Sequence, residues 1–185
     1  MFSIRKSDTI LDLGCGDGLN TFILRKMGCK KIIGVDISEY LLRIARKLNP
    51  GVEFKIASAE KLPFKSGSFN VVLVDSVFHH LSDSVKVQKE IRRVLTSGGT
   101  LCFSEPHYNT ARKLFDKLTI APISKILPFF RLRRPAFLAE RALIERWYKK
   151  EESFIKKLEN NGFKKEFCRY DLLGVIGKYL VKSPV

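Results

Sequence analysis

Three glycines and an acid near the start of the chain have the types and spacing of a nucleoside-binding site. The segment Leu11–Gly18 places Gly14, Gly16 and Gly18 between a short apolar run and an amphipathic stretch. Glycines let a backbone turn sharply and approach a ligand closely, and the free amides of a following helix suit hydroxyl or anionic groups. Asp36 ends the next apolar run, 20 residues after Gly16, where its carboxylate can accept hydrogen bonds from both hydroxyls of a ribose.

Two classes of nucleotide cofactor compete for such a site. A dinucleotide-binding turn has the spacing GxGxxG, whereas this chain has GxGxG with Leu19 at the last position of that pattern. Asp12, two residues before the first glycine, also fits poorly beside a dinucleotide. The spacing therefore disfavours a nicotinamide cofactor, although Asp36 would serve either class.

Further motifs follow in order and give the chain a family resemblance. Ser58–Phe64 resembles the DAExLPF segment of class I S-adenosylmethionine-dependent methyltransferases. Phe69–Leu81 resembles the fourth strand and HHL turn of their type-11 methyltransferase group, and Arg93–Leu101 resembles its RVLKPGG segment. With the glycine turn and Asp36, the resemblance covers about residues 8–107. It implies S-adenosyl-L-methionine as the cofactor and a seven-stranded, mostly parallel sheet with an antiparallel last strand.

The resemblance also implies which residues hold the cofactor. Many members carry an acid that accepts the adenine amino group where this chain has Ser58. A hydroxyl can accept the same hydrogen bond, but without the assistance of a charge. The predicted cofactor-binding residues are Asp12, Gly14, Cys15, Gly16, Asp36, Ile37, Ser58, Ala59, Glu60, Asp75, Ser76 and Val77.

Three histidines are the candidates for catalysis: His79, His80 and His107. Methyl transfer from a sulfonium is an in-line displacement, in which the enzyme positions the acceptor and, where needed, removes its proton. A neutral imidazole suits that task near pH 7. The alternative is that His79 and His80 only shape the turn after the fourth strand and pack against the cofactor. Glu105 and His107 follow the fifth strand, where the crevice of an α/β sheet opens, and either could touch the substrate.

A metal is not predicted, because no group of His, Cys and carboxylate residues has ligand spacing along the chain.

Signatures of several substrate classes are absent. After the fourth strand the chain reads Asp75–Phe78 without the paired prolines of enzymes that methylate base amino groups. Neither Cys102 nor Cys168 fits the activated thiolate of cytosine-C5 enzymes, and the paired glutamates of protein-arginine enzymes are missing. A small-molecule or lipid-like acceptor, anionic in view of the basic chain, is therefore favoured. The alternatives are an RNA methyltransferase and a non-catalytic S-adenosylmethionine-binding partner protein.

The elements that position these residues alternate in type. Short apolar runs separated by amphipathic stretches predict a parallel sheet with helices on both faces, a Rossmann-like, doubly wound α/β fold. Ser38 is the predicted N-cap of the second helix, and Ser97–Gly99 the predicted turn before the fifth strand. The predicted strands span residues 10–13, 31–35, 52–56, 70–74, 100–104, 164–170 and 174–181, and the predicted helices span 20–27, 39–48, 84–95 and 151–159.

The stretch His107–Lys150 is predicted to be a basic, aromatic-rich insertion or lid within a single domain of residues 1–185. It carries eleven Lys and Arg residues against three acids, about half of the net charge of +15. Its apolar residues predict helices that cover the crevice and line the acceptor pocket. Between Thr119 and Leu138, where basic and apolar residues interleave, three interpretations stay open: peripheral membrane contact, a nucleic-acid surface, or a cover with a solvated basic face.

Composition excludes several other classes of protein. The hydrophobic content of 45% excludes a disordered chain, and no run approaches the roughly 18 apolar residues of a membrane span. Met1–Thr9 lacks the apolar stretch of a signal peptide, and four cysteines without a CxxC pair indicate reduced, partly buried thiols. We therefore expect a cytoplasmic protein, with peripheral membrane attachment left open. Since few residues precede the first strand, we expect a more open cofactor site, its closure by residues 107–150, or a truncated or divergent chain.

Overall fold

A computed structural model describes residues 4–81, 84–107, 109–120, 128–170 and 176–184. Within these ranges the strands are β1 Thr9–Leu13, β2 Lys31–Asp36, β3 Glu53–Ile56, β4 Phe69–Asp75, β5 Leu95–Pro106, β6 Lys164–Tyr170 and β7 Ile176–Lys182. The helices are α1 Leu19–Lys26, α2 Glu39–Leu48, α3 Ser84–Val94, α4 Thr110–Ile120 and α5 Pro128–Asn160, with a 3₁₀ turn at Phe78–His80.

The strands form one seven-stranded sheet in the order β3-β2-β1-β4-β5-β7-β6. Strands β1 to β5 are mutually parallel, whereas β7 runs antiparallel to both of its neighbours, β5 and β6. This confirms the predicted fold class, a Rossmann-like sheet whose last strand is antiparallel. The chain order reverses at β1, so a crevice is expected where the carboxyl ends of β1 and β4 diverge.

Core residues alternate between the two faces of the sheet, as the pleat of a strand requires. In β1, Leu11 packs into the cluster that α3 and α5 cover, whereas Ile10 packs into the cluster that α1 covers. In β4, Val72 packs into the first of these clusters and Val71 into the second. Because both faces are covered, the inner strands are apolar at nearly every position.

The amino end of β5 differs from the prediction. Ser97–Gly99, predicted as a turn, lies inside a strand that begins at Leu95. The pairing with β4 is irregular between Phe69 and Val71, and Gly98 has a φ of +67°. A bulge of this kind inserts extra residues without ending the strand. The prediction was wrong because it took the two glycines as the signal of a turn.

Helix α5 also differs from the prediction. The separate helix expected at Glu151–Glu159 is the last part of one 33-residue helix that begins at Pro128. Pro135 lies inside this helix, where it removes one backbone hydrogen bond. No helix in the described part of the chain is long and apolar enough to cross a membrane.

Part of the predicted basic segment falls outside what the structure describes. Residues 121–127 lie outside the described residues, and the side chains of 128–134 are not described either, so the interleaved stretch Thr119–Leu138 is described only at its ends and along its backbone from 128.

Candidate active site

The glycine-rich loop lies at the carboxyl end of β1, in the predicted crevice. Gly14, Gly16 and Gly18 all have positive φ angles, of +70°, +53° and +82°. The amides of Gly14 and Cys15 both donate to the carbonyl of Val35, at 2.7 and 3.0 Å, and so tie the loop to the end of β2. These three conformations suit glycine and place the loop where β1 and β2 end together.

Two of the glycines are required for different reasons. A Cβ on Gly14 would lie 2.4 Å from a methyl carbon of Val77, so only glycine lets the β1 and β4 loops meet. A Cβ on Gly16 would meet nothing within 4 Å. The space above Gly16 is therefore open, as close approach by a ligand requires.

Asp36 ends β2 beside the glycine loop, with both carboxylate oxygens engaged. Oδ2 accepts from the amide of Gly16 at 2.9 Å, and Oδ1 accepts from the amide of Ser38 at 2.8 Å. Each carboxylate oxygen can accept a second hydrogen bond, which leaves capacity for the two hydroxyls of a ribose. Ser38 caps α2 through the amide of Leu41, as predicted.

The candidates predicted for the adenine side follow the carboxyl ends of β2 and β3. Ile37 exposes 76% of its surface, an unusual degree for an apolar side chain and a suitable face for an aromatic ring. Ser58 is exposed and Glu60 half-buried, whereas Ala59 is buried. The hydroxyl of Ser58 accepts from the amide of Glu60 at 3.2 Å, so its hydrogen remains available to a ligand acceptor.

The remaining candidates lie at the carboxyl end of β4, on the other side of β1 from β2. Asp75 and Ser76 are exposed, and Ser76 has a φ of +57°, the one positive value for a non-glycine residue in the described ranges. Asp75 accepts from the side-chain amide of Asn20 at 3.0 Å and from the hydroxyl of Ser104. Backbone strain of this kind persists where surrounding structure imposes it, often at functional sites.

Asp12 is placed differently from the other cofactor-binding candidates. It is buried, and its Oδ2 accepts from the hydroxyl of Thr21 in α1 at 2.6 Å. Burial raises the pKa of this carboxyl to about 6, despite the opposing hydrogen bond from Thr21, and Asp75 and Asp36 raise it further. Asp12 therefore joins β1 to α1 beneath the glycine loop.

His79 and Glu105 form a buried pair between β4 and β5. His79 Nδ1 lies 2.7 Å from Glu105 Oε2, and Glu105 Oε1 accepts from the amide of Phe78 at 2.6 Å. Burial raises the pKa of Glu105, while His79 opposes that effect. The prediction that Glu105 could touch the substrate is wrong in this structure, because the residue is fully buried and both oxygens hold the turn.

The other two candidate histidines, His80 and His107, contact different partners. His80 is exposed, and its ring lies against that of His79 with centroids 4.1 Å apart and the ring planes tilted by 38°. Partial burial of the imidazole lowers the pKa of His80, His79 lowers it further, and Glu140 of α5 opposes both effects. His107 instead has its Nδ1 2.9 Å from Glu151, whose Oε1 also accepts from Tyr179 at 2.6 Å.

Helix α5 docks on the carboxyl end of β5, beside these histidines. The indole of Trp147 donates to the carbonyl of Pro106 at 2.9 Å, and Phe154 packs on Phe78 of the 3₁₀ turn at 4.6 Å between centroids. The sequence prediction missed Trp147, Glu140 and Asn20 as members of the site. Only tertiary contacts bring these side chains to it, and no local pattern marks them.

The cysteines take no part in this site as reactive groups. All four are free, and Cys15, Cys29 and Cys102 are buried. Burial raises the pKa of Cys102 to about 12, and burial also raises the pKa of Cys15, where Asp12 and Asp36 add to the effect. Neither thiol is a nucleophile near neutral pH, and Cys15 contributes its backbone amide to the loop.

Comparisons with known proteins agree with this geometry. Residues 11–103 match the sequence model of a family described as "Methyltransferase domain". The chain is 33% identical over 160 residues to a demethylmenaquinone methyltransferase of Chlorobaculum tepidum, covering 84% of this chain and 65% of that protein. It is 36% identical over 131 residues to the demethylmenaquinone methyltransferase of Lactococcus lactis, covering 64% of this chain and 52% of that protein. The chain thus spans about half to two thirds of the length of these relatives.

A solved structure shares the whole fold. The crystal structure of an S-adenosylmethionine-dependent methyltransferase from Methanosarcina mazei superposes with a TM-score of 0.69 at 20% sequence identity. The superposition covers 98% of this chain and 95% of that one. This likeness shows the fold, including the strands that come after the family match ends at residue 103.

Proposed function

We propose that this chain, which belongs to the methyltransferase-domain family of class I S-adenosylmethionine-dependent methyltransferases, transfers a methyl group to a small-molecule acceptor. The observation that carries the proposal is Asp36, fixed through both oxygens at the end of β2, beside the open space over Gly16. S-adenosylmethionine supplies an electrophilic methyl group on a sulfonium when it is bound. The residues of the chain position that group, orient the acceptor and exclude water.

The crevice residues fit this cofactor chemically. Asp36 retains two acceptor positions for the ribose hydroxyls, and the exposed face of Ile37 suits one side of an adenine ring. Ser58 supplies a hydroxyl on the adenine side, and the exposed Asp75 supplies a carboxylate for the ammonium of the methionine portion. We assign Gly14, Cys15, Gly16, Ala59, Glu60, Ser76 and Val77 to the backbone and walls of the same site, with Asp12 supporting it from beneath.

The acceptor is proposed from chemistry and from the relatives together. Both named relatives act, by their names, on demethylmenaquinone, a small lipophilic molecule. We propose that the acceptor enters between the turn after β4 and helix α5, where His80 is the exposed histidine and His79 is held behind it. In this arrangement His80 meets the acceptor, and His107 supports the docking of α5 through Glu151.

Turnover tests the proposal directly. Purified protein with S-adenosylmethionine and a water-soluble demethylated naphthoquinol should yield S-adenosylhomocysteine and a product heavier by one methylene group, both measured by mass spectrometry. A panel of phenols, amines and short unmodified RNA serves as the comparison set. Methylation of RNA alone would replace the acceptor proposal with the nucleic-acid alternative. Tight cofactor binding without turnover on any member would favour the binding-protein alternative.

The basic segment supports a further proposal, that the acceptor is lipid-like or anionic and that the protein meets membranes at their surface. The support is compositional: Arg131, Arg133 and Arg134 lie on the first turns of α5, and each basic residue near an anionic bilayer contributes about 1 kcal/mol. Flotation with anionic and with neutral liposomes should show binding only to the anionic ones, weakened by salt. A variant with these three arginines changed to serine should lose it. If the protein binds neither kind of liposome, the membrane proposal is wrong, while the methyltransferase proposal is unaffected.

A further inference from the structure

The turn after β4 and helix α5 bring together three side chains that could hold a metal ion. Potential ligand atoms of His79, His80 and Glu140 lie within 4.8 Å of one another. Two imidazoles and one carboxylate are the protein ligands of several open catalytic zinc sites, and they also suit other divalent transition metals. The grouping arises only in the folded chain, because Glu140 reaches the turn on α5 from a distant part of the sequence.

One nitrogen of this cluster distinguishes it from a chance grouping of surface residues. His79 is 95% buried, being 5% exposed, and its Nδ1 is already held by Glu105 at 2.7 Å. The nitrogen left to a metal is Nε2, which is buried and has no hydrogen-bond partner among the residues that the structure describes. When Nδ1 carries the hydrogen that Glu105 accepts, Nε2 presents a lone pair.

Glu105 gives His79 the support that metal-bound histidines usually have. A ligating imidazole commonly donates its other N–H to a carboxylate, which fixes the tautomer and the ring orientation and raises the basicity of the ligand. Glu105 is fully buried and anchored by the amide of Phe78 at 2.6 Å. The carboxylate, the imidazole and the lone pair therefore have a fixed direction before any ion arrives.

We propose that His79 Nε2, His80 and Glu140 bind one divalent transition-metal ion, with zinc the best match, and leave a coordination position open. Zinc bonds of about 2.0–2.1 Å place tetrahedral ligands roughly 3.3 Å apart. The ligand atoms of the cluster lie within 4.8 Å of one another, so any pair near that limit must approach by on the order of 1 Å. The exposed His80 and the half-buried Glu140 have room to do so. The sequence-based prediction that the chain binds no metal relied on the spacing of ligand residues along the chain. That spacing does not show which residues meet in the folded structure.

The open position gives the ion a role at the acceptor. If the proposed methyl transfer holds, an acceptor hydroxyl bound there becomes more acidic, because a bound cation stabilises the oxyanion. Its proton leaves to solvent, and the oxygen keeps the electron pair that forms the new bond to the methyl carbon. The bond between that carbon and the sulfonium breaks, its electron pair stays on sulfur, and S-adenosylhomocysteine is the leaving group. This role rests on the proposed function, whereas binding of the ion does not.

The test measures metal binding in the absence of cofactor and acceptor, so its failure is distinct from failure of the proposed function. Tag-free protein is stripped with chelator, titrated with zinc by calorimetry, and titrated with cobalt(II) while its visible absorption is recorded. The wild-type protein should bind one ion per chain. The cobalt complex should show visible ligand-field bands without the near-ultraviolet band of a thiolate ligand, since all the cysteines lie outside the cluster.

Variants assign the ligands. His80→Ala and Glu140→Gln should each weaken zinc binding by at least about tenfold, as loss of even a supporting group does, and both residues lie at the surface where the fold tolerates change. Glu145→Gln is the matched control, an exposed glutamate on the same helix paired only with Arg141 in the described structure, and it should bind as the wild type does. No binding by the wild type, binding that survives both ligand variants, or a thiolate band would each overturn the proposal.

Discussion

The cofactor crevice and the acceptor side of this molecule are built by different means. In the crevice, one carboxylate and a short glycine loop are joined by backbone amides, and Asp36 bonds to Gly16 and Ser38. On the acceptor side, side chains from distant elements meet in buried pairs, such as His79 with Glu105 and Trp147 with the carbonyl of Pro106. Local sequence is therefore enough to specify the first region, whereas the second depends on how α5 docks.

The largest effect should come from a change that closes the crevice itself. Gly14→Ala adds a methyl carbon 2.4 Å from Val77 at a φ of +70°, and overpacking and left-handed strain together should lower the free energy of unfolding by about 2–4 kcal/mol. Gly67→Ala is the control, because it has a similar φ of +66° but nothing within 4 Å of the new carbon. It should cost only the strain, about 1–2 kcal/mol. Equal losses in urea unfolding would show that the loop contact is unimportant.

The difference between the two regions accounts for what the sequence could predict. The glycine loop, the parallel pairing of the first five strands and the cap at Ser38 follow from local patterns, and each is confirmed. The bulge in β5 was predicted as a turn, because Gly98 signals either structure. The sequence did not predict that α5 is one continuous helix. Proline is usually a helix-breaking residue, yet α5 continues through Pro135.

Side-chain partnerships were the least predictable feature. Glu105, one of two candidates for contact with the substrate, is buried and paired with His79. The proximity of Glu140 to His80 is not indicated by their spacing along the chain. These contacts depend on the packing of Trp147 and Phe154 against β5 and the 3₁₀ turn. Such packing joins residues that no periodicity links.

A second effect concerns the buried carboxyl beneath the crevice. The pKa of Asp12 is about 6 in the folded chain against an ordinary value of 3.8. The folded state therefore holds its proton more tightly, and wild-type stability should fall as the pH rises from about 4 to about 6. Asp12→Asn removes this loss, and the variant should be more stable than wild type by about 2–3 kcal/mol above that range.

The measurement for Asp12 is urea unfolding of both proteins at several pH values. Below pH 4 the variant should show none of this advantage, because Asp12 is then protonated in both states. Glu53→Gln, a change at an exposed site on β3, should show little pH-dependent difference. A constant gap between Asp12→Asn and wild type at all pH values would contradict the argument.

A third effect separates cofactor affinity from folding. Asp36→Ala should weaken binding of S-adenosylhomocysteine by roughly 2 kcal/mol, about thirtyfold, if the carboxylate accepts charge-assisted bonds from the ribose. The control is Glu39→Ala, which changes an acid three residues away in the first turn of α2. This variant should bind S-adenosylhomocysteine nearly as tightly as the wild-type protein does. Equal affinity of all three proteins in calorimetry would remove Asp36 from the site.

The smallest effect should fall on the acceptor side alone. Trp147→Phe keeps an aromatic ring but removes the hydrogen bond to the carbonyl of Pro106, and should lower the free energy of unfolding by about 1 kcal/mol. Affinity for S-adenosylhomocysteine should not change. Tyr40→Phe, at a side chain 73% exposed, is the control for loss of a polar group. A large loss of cofactor affinity in Trp147→Phe would show that the two regions are not separable.

The most direct test of the central claim, that the glycine loop and Asp36 hold S-adenosylmethionine, is calorimetry of the wild-type protein with two ligands. S-adenosylhomocysteine should bind with one site per chain, and NAD should give no heat of binding under the same conditions. The GxGxG spacing and the open space over Gly16 support the first result. Tight binding of NAD with no response to S-adenosylhomocysteine would contradict the account.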